Sequence, residues 1–169
     1  MPTGEYRHIM VAVDGSKTSE LAYKKAVNIA LRNQGTLFIS HIIDTRSLNQ
    51  FYPTVDSPRS SAQFLDTQHT AAENTLNRFK EWANNQGLTN IEVILKNGSP
   101  RTEIADVLPE EYNIDLLVLG ATGLTAIERA FVGSVSQYVV RNAPCDVLIV
   151  RTESGDIDSE PIIRRDDGL

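Results

Sequence analysis

Apolar positions along the chain follow two patterns in alternation: short unbroken runs, and longer stretches in which they recur every three or four residues. Ile9-Met10-Val11-Ala12-Val13 is an unbroken run, the pattern of a strand buried on both faces, as in a parallel sheet. It ends at Asp14-Gly15-Ser16, where Ser16 is placed to cap a helix. Tyr23, Ala26, Val27, Ala30 and Leu31 then mark one face of that helix. Asn33-Gln34-Gly35 gives it a C-terminal glycine signal. The stretch from Thr36 to Ile43, rich in β-branched and aromatic residues, predicts the second strand.

From Asp44 to Ser61 the pattern lapses, with Pro53, Pro58 and several serines, and the stretch reads as a long flexible surface loop of the kind that often serves as a lid or binding loop. Leu65, Ala72, Leu76, Phe79 and Ala83 predict a second amphipathic helix, ended by Asn85-Gln86-Gly87. Ile91 to Leu95 is the third strand, and Asn97-Gly98 a turn. Ser99-Pro100 sets an N-cap beside a proline at the first helical position, with Ile104, Ala105 and Leu108 as that helix's apolar face. Asp115 to Leu119 is the fourth strand, stopping at Gly120. A helix from about Ser134 to Asn142 precedes Pro144, and Cys145 to Val150 is the fifth strand. Five strands alternating with four helical segments specify a single-domain α/β fold around a parallel sheet. Periodicity vanishes from Thr152 to Leu169, so residues 1–151 read as the domain and 152–169 as a mobile, disordered tail.

Length and composition agree with one domain: 169 residues, 41% hydrophobic, net charge −6. The charge is uneven. From Thr152 onward six acids face two bases, leaving sixteen acids and fourteen bases in the domain itself. An anionic ligand is therefore compatible with the nearly neutral domain, while the lack of clustered Lys and Arg argues against nucleic acid. Cys145 is the single cysteine, which excludes an internal disulfide and a cysteine zinc site and suits the cytoplasm. No stretch has the length of a signal-peptide core or a membrane span. His8, His41 and His69 fall in three different elements without acidic residues at ligand spacing, which disfavours a metal site.

Ligands of open α/β sheets bind beyond the carboxyl ends of the strands, where strand order reverses. Two strand ends carry unusual chemistry: Asp14-Gly15-Ser16 and Gly120-Ala121-Thr122-Gly123. Gly133-Ser134 then opens a helix whose free N–H groups favour a phosphate, or else forms an ordinary turn with its N-cap. The chain has no P-loop, no G-x-S-x-G elbow and no G-x-G-x-x-G after the first strand. No positioned base or cationic clamp for fast phosphoryl transfer is visible either.

The spacing Gly120-x-x-Gly123, nine residues, Gly133-Ser134 resembles the glycine signature of ATP-binding universal stress proteins. Val11 to Ser16 resembles that family's opening strand and turn, His41 to Asp44 its second strand end, and Pro144 to Val150 its last strand. The resemblance implies a Rossmann-like sheet of order 3-2-1-4-5 with helices on both faces. It places Ala12, Asp14 and Ile42 near ribose and adenine, Gly120, Thr122 and Gly123 along ribose and phosphates, and Gly133, Ser134 and Val135 around the phosphates. Mg²⁺ would come with the nucleotide, near Asp14. Thr122 stands where members often carry His or Arg, which removes a charge from the phosphate site; Arg129 of that loop reads first as a solvated surface arginine and only second as the residue that restores one.

The apolar fifth strand, if it lies at the sheet edge, needs cover. Pairing of Asp146 to Val150 with a second copy supplies it, and the resemblance implies the same homodimer. These observations lead to the expectation of a cytoplasmic stress-response protein that binds ATP, ADP or AMP as a ligand or switch, with slow hydrolysis at most. The alternatives are a nucleotide-free dimeric interaction module of the same fold and a metal-dependent nucleotide hydrolase anchored on Asp14.

Overall fold

β1 (His8–Ala12) forms the middle of the sheet, and its Ile9, Met10 and Val11 have no solvent exposure. Helices cover both faces, which is why this run is continuously apolar rather than alternating. The computed structural model describes residues 5–46, 58–121, 132–151 and 161–162. After β1 come α1 (Lys17–Asn33), β2 (Thr36–Asp44), α2 (Pro58–Asn85) and β3 (Ile91–Gly98). They are followed by α3 (Pro100–Thr102), a π-helical turn (Glu103–Val107), α4 (Leu108–Glu111), β4 (Leu116–Gly120), α5 (Ser134–Asn142) and β5 (Asp146–Val150).

All strand pairs are parallel, in the order β3-β2-β1-β4-β5. Side chains alternate across the sheet with a period of two. Ile9, Val11, Leu37, Ile39, Leu116 and Val118 pack beneath α1 and α2, against Tyr23, Val27, Leu76 and Phe79. Met10, Phe38, Ile42, Leu117 and Leu119 face the other way, onto Ile104, Leu108 and Val139.

Local chemistry sets the element ends. Ser16 caps α1, its Oγ accepting the Ser19 amide at 3.1 Å. At the other end Gln34, not Gly35, takes the left-handed conformation (φ 52°). Gly35 is needed for a different reason: a Cβ there would lie 2.7 Å from Ile9 Cδ1 and 2.8 Å from the Tyr6 carbonyl oxygen. The π turn precedes Pro109, which has no N–H for the α-helical bond and whose ring would clash with the preceding turn. Widening lets the Leu108 amide reach back to the Glu103 carbonyl.

Three boundaries differ from the sequence expectation. α2 begins at Pro58, so the end of the expected loop is helical; proline at a first helical position needs no N–H. The rest of that loop, 47–57, lies outside the described residues. Asn97 and Gly98 do not turn the chain but extend β3, paired with Ile43 and Asp44. In the C-terminal stretch, Pro161 and Ile162 are described, and Ile162 packs against the α1 side of the core while its amide donates to Glu20 Oε1 at 2.8 Å. The remainder of the expected tail, 152–160 and 163–169, lies outside the described residues.

Candidate functional site

β1 and β4 are neighbours, so the Asp14 turn and the end of β4 flank one crevice, at the point where strand order reverses. Gly15 has φ 80°, which turns the chain sharply from β1 into α1. Asp14 Oδ1 accepts the Ser16 amide at 2.9 Å, and the Asp14 amide donates to Ser19 Oγ at 3.3 Å. The carboxylate is thus held through Oδ1 on an exposed turn.

Val13 donates its amide to the Ser40 carbonyl at 2.9 Å, so the backbone of Ser40 points toward β1. Backbone direction alternates along a strand, and the N–H and C=O of Ile42 therefore point the same way, past the last residue of β1. That is the geometry needed to read the edge of a flat base without a specialised side chain. Ala12, Ile42 and Val135 all pack on the α3–α5 face of the sheet, which gives this end of the crevice an apolar wall. His41 is fixed by its Nδ1 contact to the Val13 carbonyl at 2.7 Å.

The Gly133 amide donates to the Ala121 carbonyl at 2.6 Å, which seats the start of α5 at the carboxyl end of β4. Gly133 is the N-cap (φ −60°, ψ 159°) with no side-chain cap bond. The amides of Ser134, Val135 and Ser136 precede the first intrahelical bond, made by Gln137 to the Gly133 carbonyl. These three amides, with the helix dipole behind them, form an arrangement suited to receive an anion. The row of unused amides therefore starts at Ser134, since the Gly133 amide is already committed to Ala121.

Ser136, which sequence reasoning missed, is buried and donates its hydroxyl to the Gly120 carbonyl at 2.8 Å. With Tyr138 Oη on Asp106 Oδ2 at 3.2 Å, it locks α5 against β4 and the π turn. The Asp106 hydrogen bond, followed by its charge, raises the Tyr138 pKa. Only the serine spacing after Gly133 hinted at this residue.

Gly120 was expected to line the ligand. A Cβ at this position would lie on the α1 side of the sheet, 2.9 Å from the Thr18 carbonyl carbon and 3.0 Å from the Ser19 nitrogen. The glycine is required for close packing of β4 on the first turn of α1. Thr122, Gly123 and Arg129 lie outside the described residues. Cys145 is half-buried, and burial first, then Asp115 and Asp146, push its thiol pKa up. Among the described residues no group of three His, Cys, Asp or Glu side chains could hold a metal ion, and no helix is long and apolar enough to cross a membrane.

The family model described as "Universal stress protein family" matches residues 5–151. The chain belongs to the universal stress protein family. A Staphylococcus aureus (strain USA300) relative, whose name places it among the universal stress proteins, is 44% identical over 156 residues, 92% of this chain and 90% of the relative. Among solved structures, universal stress protein UspA from Lactobacillus plantarum is 30% identical with a TM-score of 0.76, covering 88% of this chain and all of that one. A universal stress protein solved in complex with cAMP is 27% identical with a TM-score of 0.64, covering 89% of this chain and all of that one. The five-stranded parallel sheet of this universal stress protein, in the order 3-2-1-4-5, is the fold of these neighbours.

Proposed function

We propose that this universal stress protein binds an adenine nucleotide, ATP or its shorter phosphates, in the crevice between the Asp14 turn and α5, as a ligand or regulatory switch with slow or no hydrolysis. The observation that carries the reading is the row of amides at Ser134, Val135 and Ser136, which begins α5 beside the end of β4. Backbone donors of this kind neutralise phosphate oxygens without a lysine or arginine. Adenine lies along Ala12 and the backbone of Ile42, ribose meets Asp14, and Gly120 to Gly123 with Gly133 to Val135 close around the phosphates. The exposed carboxylate of Asp14, engaged among the described residues through one oxygen, fits a Mg²⁺ that arrives with the nucleotide and screens its charge. The neighbour solved with cAMP makes cyclic nucleotide the natural competitor.

Two further proposals concern the setting. Among the described residues β5 pairs with β4 alone, and its outer edge, Asp146 to Val150, joins a second copy about a two-fold axis. One half-buried cysteine and no bridge suit a reducing cytoplasm.

The test is nucleotide analysis of protein purified under native conditions and then denatured, with calorimetric titration of ATP, ADP, AMP and cAMP, with and without Mg²⁺. Tightest binding of one adenine nucleotide is the expected result. Absence of both co-purified nucleotide and heat overturns the reading. Turnover at ~1 s⁻¹ or faster replaces it with the hydrolase.

A further inference from the structure

The buried polar side chains among the described residues are Ser16, Thr18, Ser19, Ser40 and Ser136. All lie toward one end of the sheet. Ser16, Thr18 and Ser19 join the turn after β1 to the first turn of α1, and Ser40 pairs with Ala12, the last residue of β1. Ser136 sits in the first turn of α5, against the last residue of β4. Burying a hydroxyl costs free energy until it is hydrogen-bonded, and apolar residues fill the same space without that cost. Ser19 Oγ donates to the Ser16 carbonyl at 2.9 Å and accepts the Asp14 amide at 3.3 Å, which fastens the Asp14 turn onto α1. Ser136 Oγ donates to the Gly120 carbonyl at 2.8 Å, which fastens α5 onto β4. Gly120 in turn presses on α1, since a Cβ there would meet backbone atoms of Thr18 and Ser19 at 2.9 and 3.0 Å. The backbone of Gly120 is thus the common abutment of the Asp14 turn and of α5.

We propose that Ser136 is a positioning residue of the nucleotide crevice. Through the Gly120 carbonyl its hydroxyl sets the distance from the Asp14 turn to the amides of Ser134, Val135 and Ser136, and with it the preference for nucleotides over nucleosides. The inference rests on the adenine-nucleotide reading above. α5 needs a fastening at this end because its N-cap is a glycine with no side-chain cap bond, whereas α1 is capped by Ser16. Helix ends without such support fray. The other half of α5 is held separately, by Val139 in the core and by the Tyr138 hydroxyl on Asp106, so loss of the Ser136 bond loosens the amide row without releasing the helix. Asp14 and those amides stand on different elements, and a ligand that bridges them loses affinity when the two drift apart by more than about 0.5 Å. Adenosine carries no phosphate and uses the Ala12, Asp14 and Ile42 side of the crevice, so its binding does not register where α5 stands.

The experiment is calorimetric titration of the full chain and of its Ser136→Ala variant with adenosine, AMP and ATP. Beside it, the ¹⁵N–¹H heteronuclear NOE of the α5 amides is read in both proteins without nucleotide. Alanine fits wherever serine does, so the variant keeps the fold, which a thermal melt checks. Ser136→Ala is expected to weaken ATP binding roughly tenfold or more and adenosine binding by less than about twofold, with AMP between them. The NOE is expected to fall at Ser134, Val135 and Gln137 and to stay unchanged in α1 and β4. Equal losses for adenosine and ATP, the result of a general loosening of the fold, overturn the proposal. So does an unchanged ATP affinity, or an unchanged NOE in the first turn of α5. A parent protein that binds none of the three ligands overturns the adenine-nucleotide reading itself, a result distinct from a parent that binds ATP and a variant that binds it equally well.

Discussion

At residue 120 a Cβ would lie 2.9 Å from the Thr18 carbonyl carbon, and backbone cannot rotate out of the way as a flexible side chain can. Gly120→Ala is therefore expected to force β4 from the first turn of α1 and to lower stability by about 1–3 kcal/mol, the range for overpacking, measured by urea denaturation. The spacing of the glycines singled out this residue, but not its packing against α1, because sequence does not say which face of a sheet a missing side chain would point to. Tyr23 is a second case. It is fully buried, its hydroxyl donates to the Phe79 carbonyl, and burial pushes its pKa above the ordinary value of 10. An unfolded chain ionises this tyrosine near pH 10 while the folded one keeps its proton, so its contribution is intact below pH 10 and declines as pH rises toward the raised native value. Tyr23→Phe is expected to lower stability by about 1 kcal/mol at neutral pH and to make the loss above pH 10 shallower, both read from denaturant midpoints across a pH series. The helical period predicted that Tyr23 faces inward; its partner, 56 residues away, is a matter of packing.

Among the elements, α5 offers the sharpest test of the site, because one donor can be deleted without breaking the helix. Ser134 is its first residue, where proline is tolerated, and the preceding Gly133 already has the extended ψ of 159° that a following proline demands. Ser134→Pro is expected to leave the melting temperature nearly unchanged and to weaken ATP binding roughly 10- to 150-fold, the loss of a ~1.5–3 kcal/mol bond to a charged group. Ser134→Ala, which keeps the amide, should weaken it much less; calorimetry separates the two. The start of α5, the Ser16 cap and the Pro100 start were all legible, since each depends on a few adjacent residues. The π turn before Pro109 and the start of α2 at Pro58 were not. A proline reads as an interruption in either place, and only neighbouring packing decides whether the helix widens, begins or stops.

For the whole molecule, the open edge of β5 gives a prediction about assembly. Val147→Lys places a charge on a half-buried edge position and is expected to convert the proposed dimer to monomer in sedimentation velocity, with the fold intact by circular dichroism. The order 3-2-1-4-5 came from the family resemblance, not from periodicity, and the sheet has that order. What the sequence determined by itself was the succession of strands and helices, the parallel class of the sheet and the two strand ends that carry polar chemistry, because apolar period, caps and turn residues act over a few positions. Tertiary structure decided what depends on contacts between distant residues. It turned the Ile42 backbone past the end of β1, spent the Gly133 amide on Ala121, aimed Gly120 at α1 and held Ile162 on Glu20. Each of those is fixed by the approach of two backbones or by burial of a polar group, and neither is encoded in the spacing of residues along one segment.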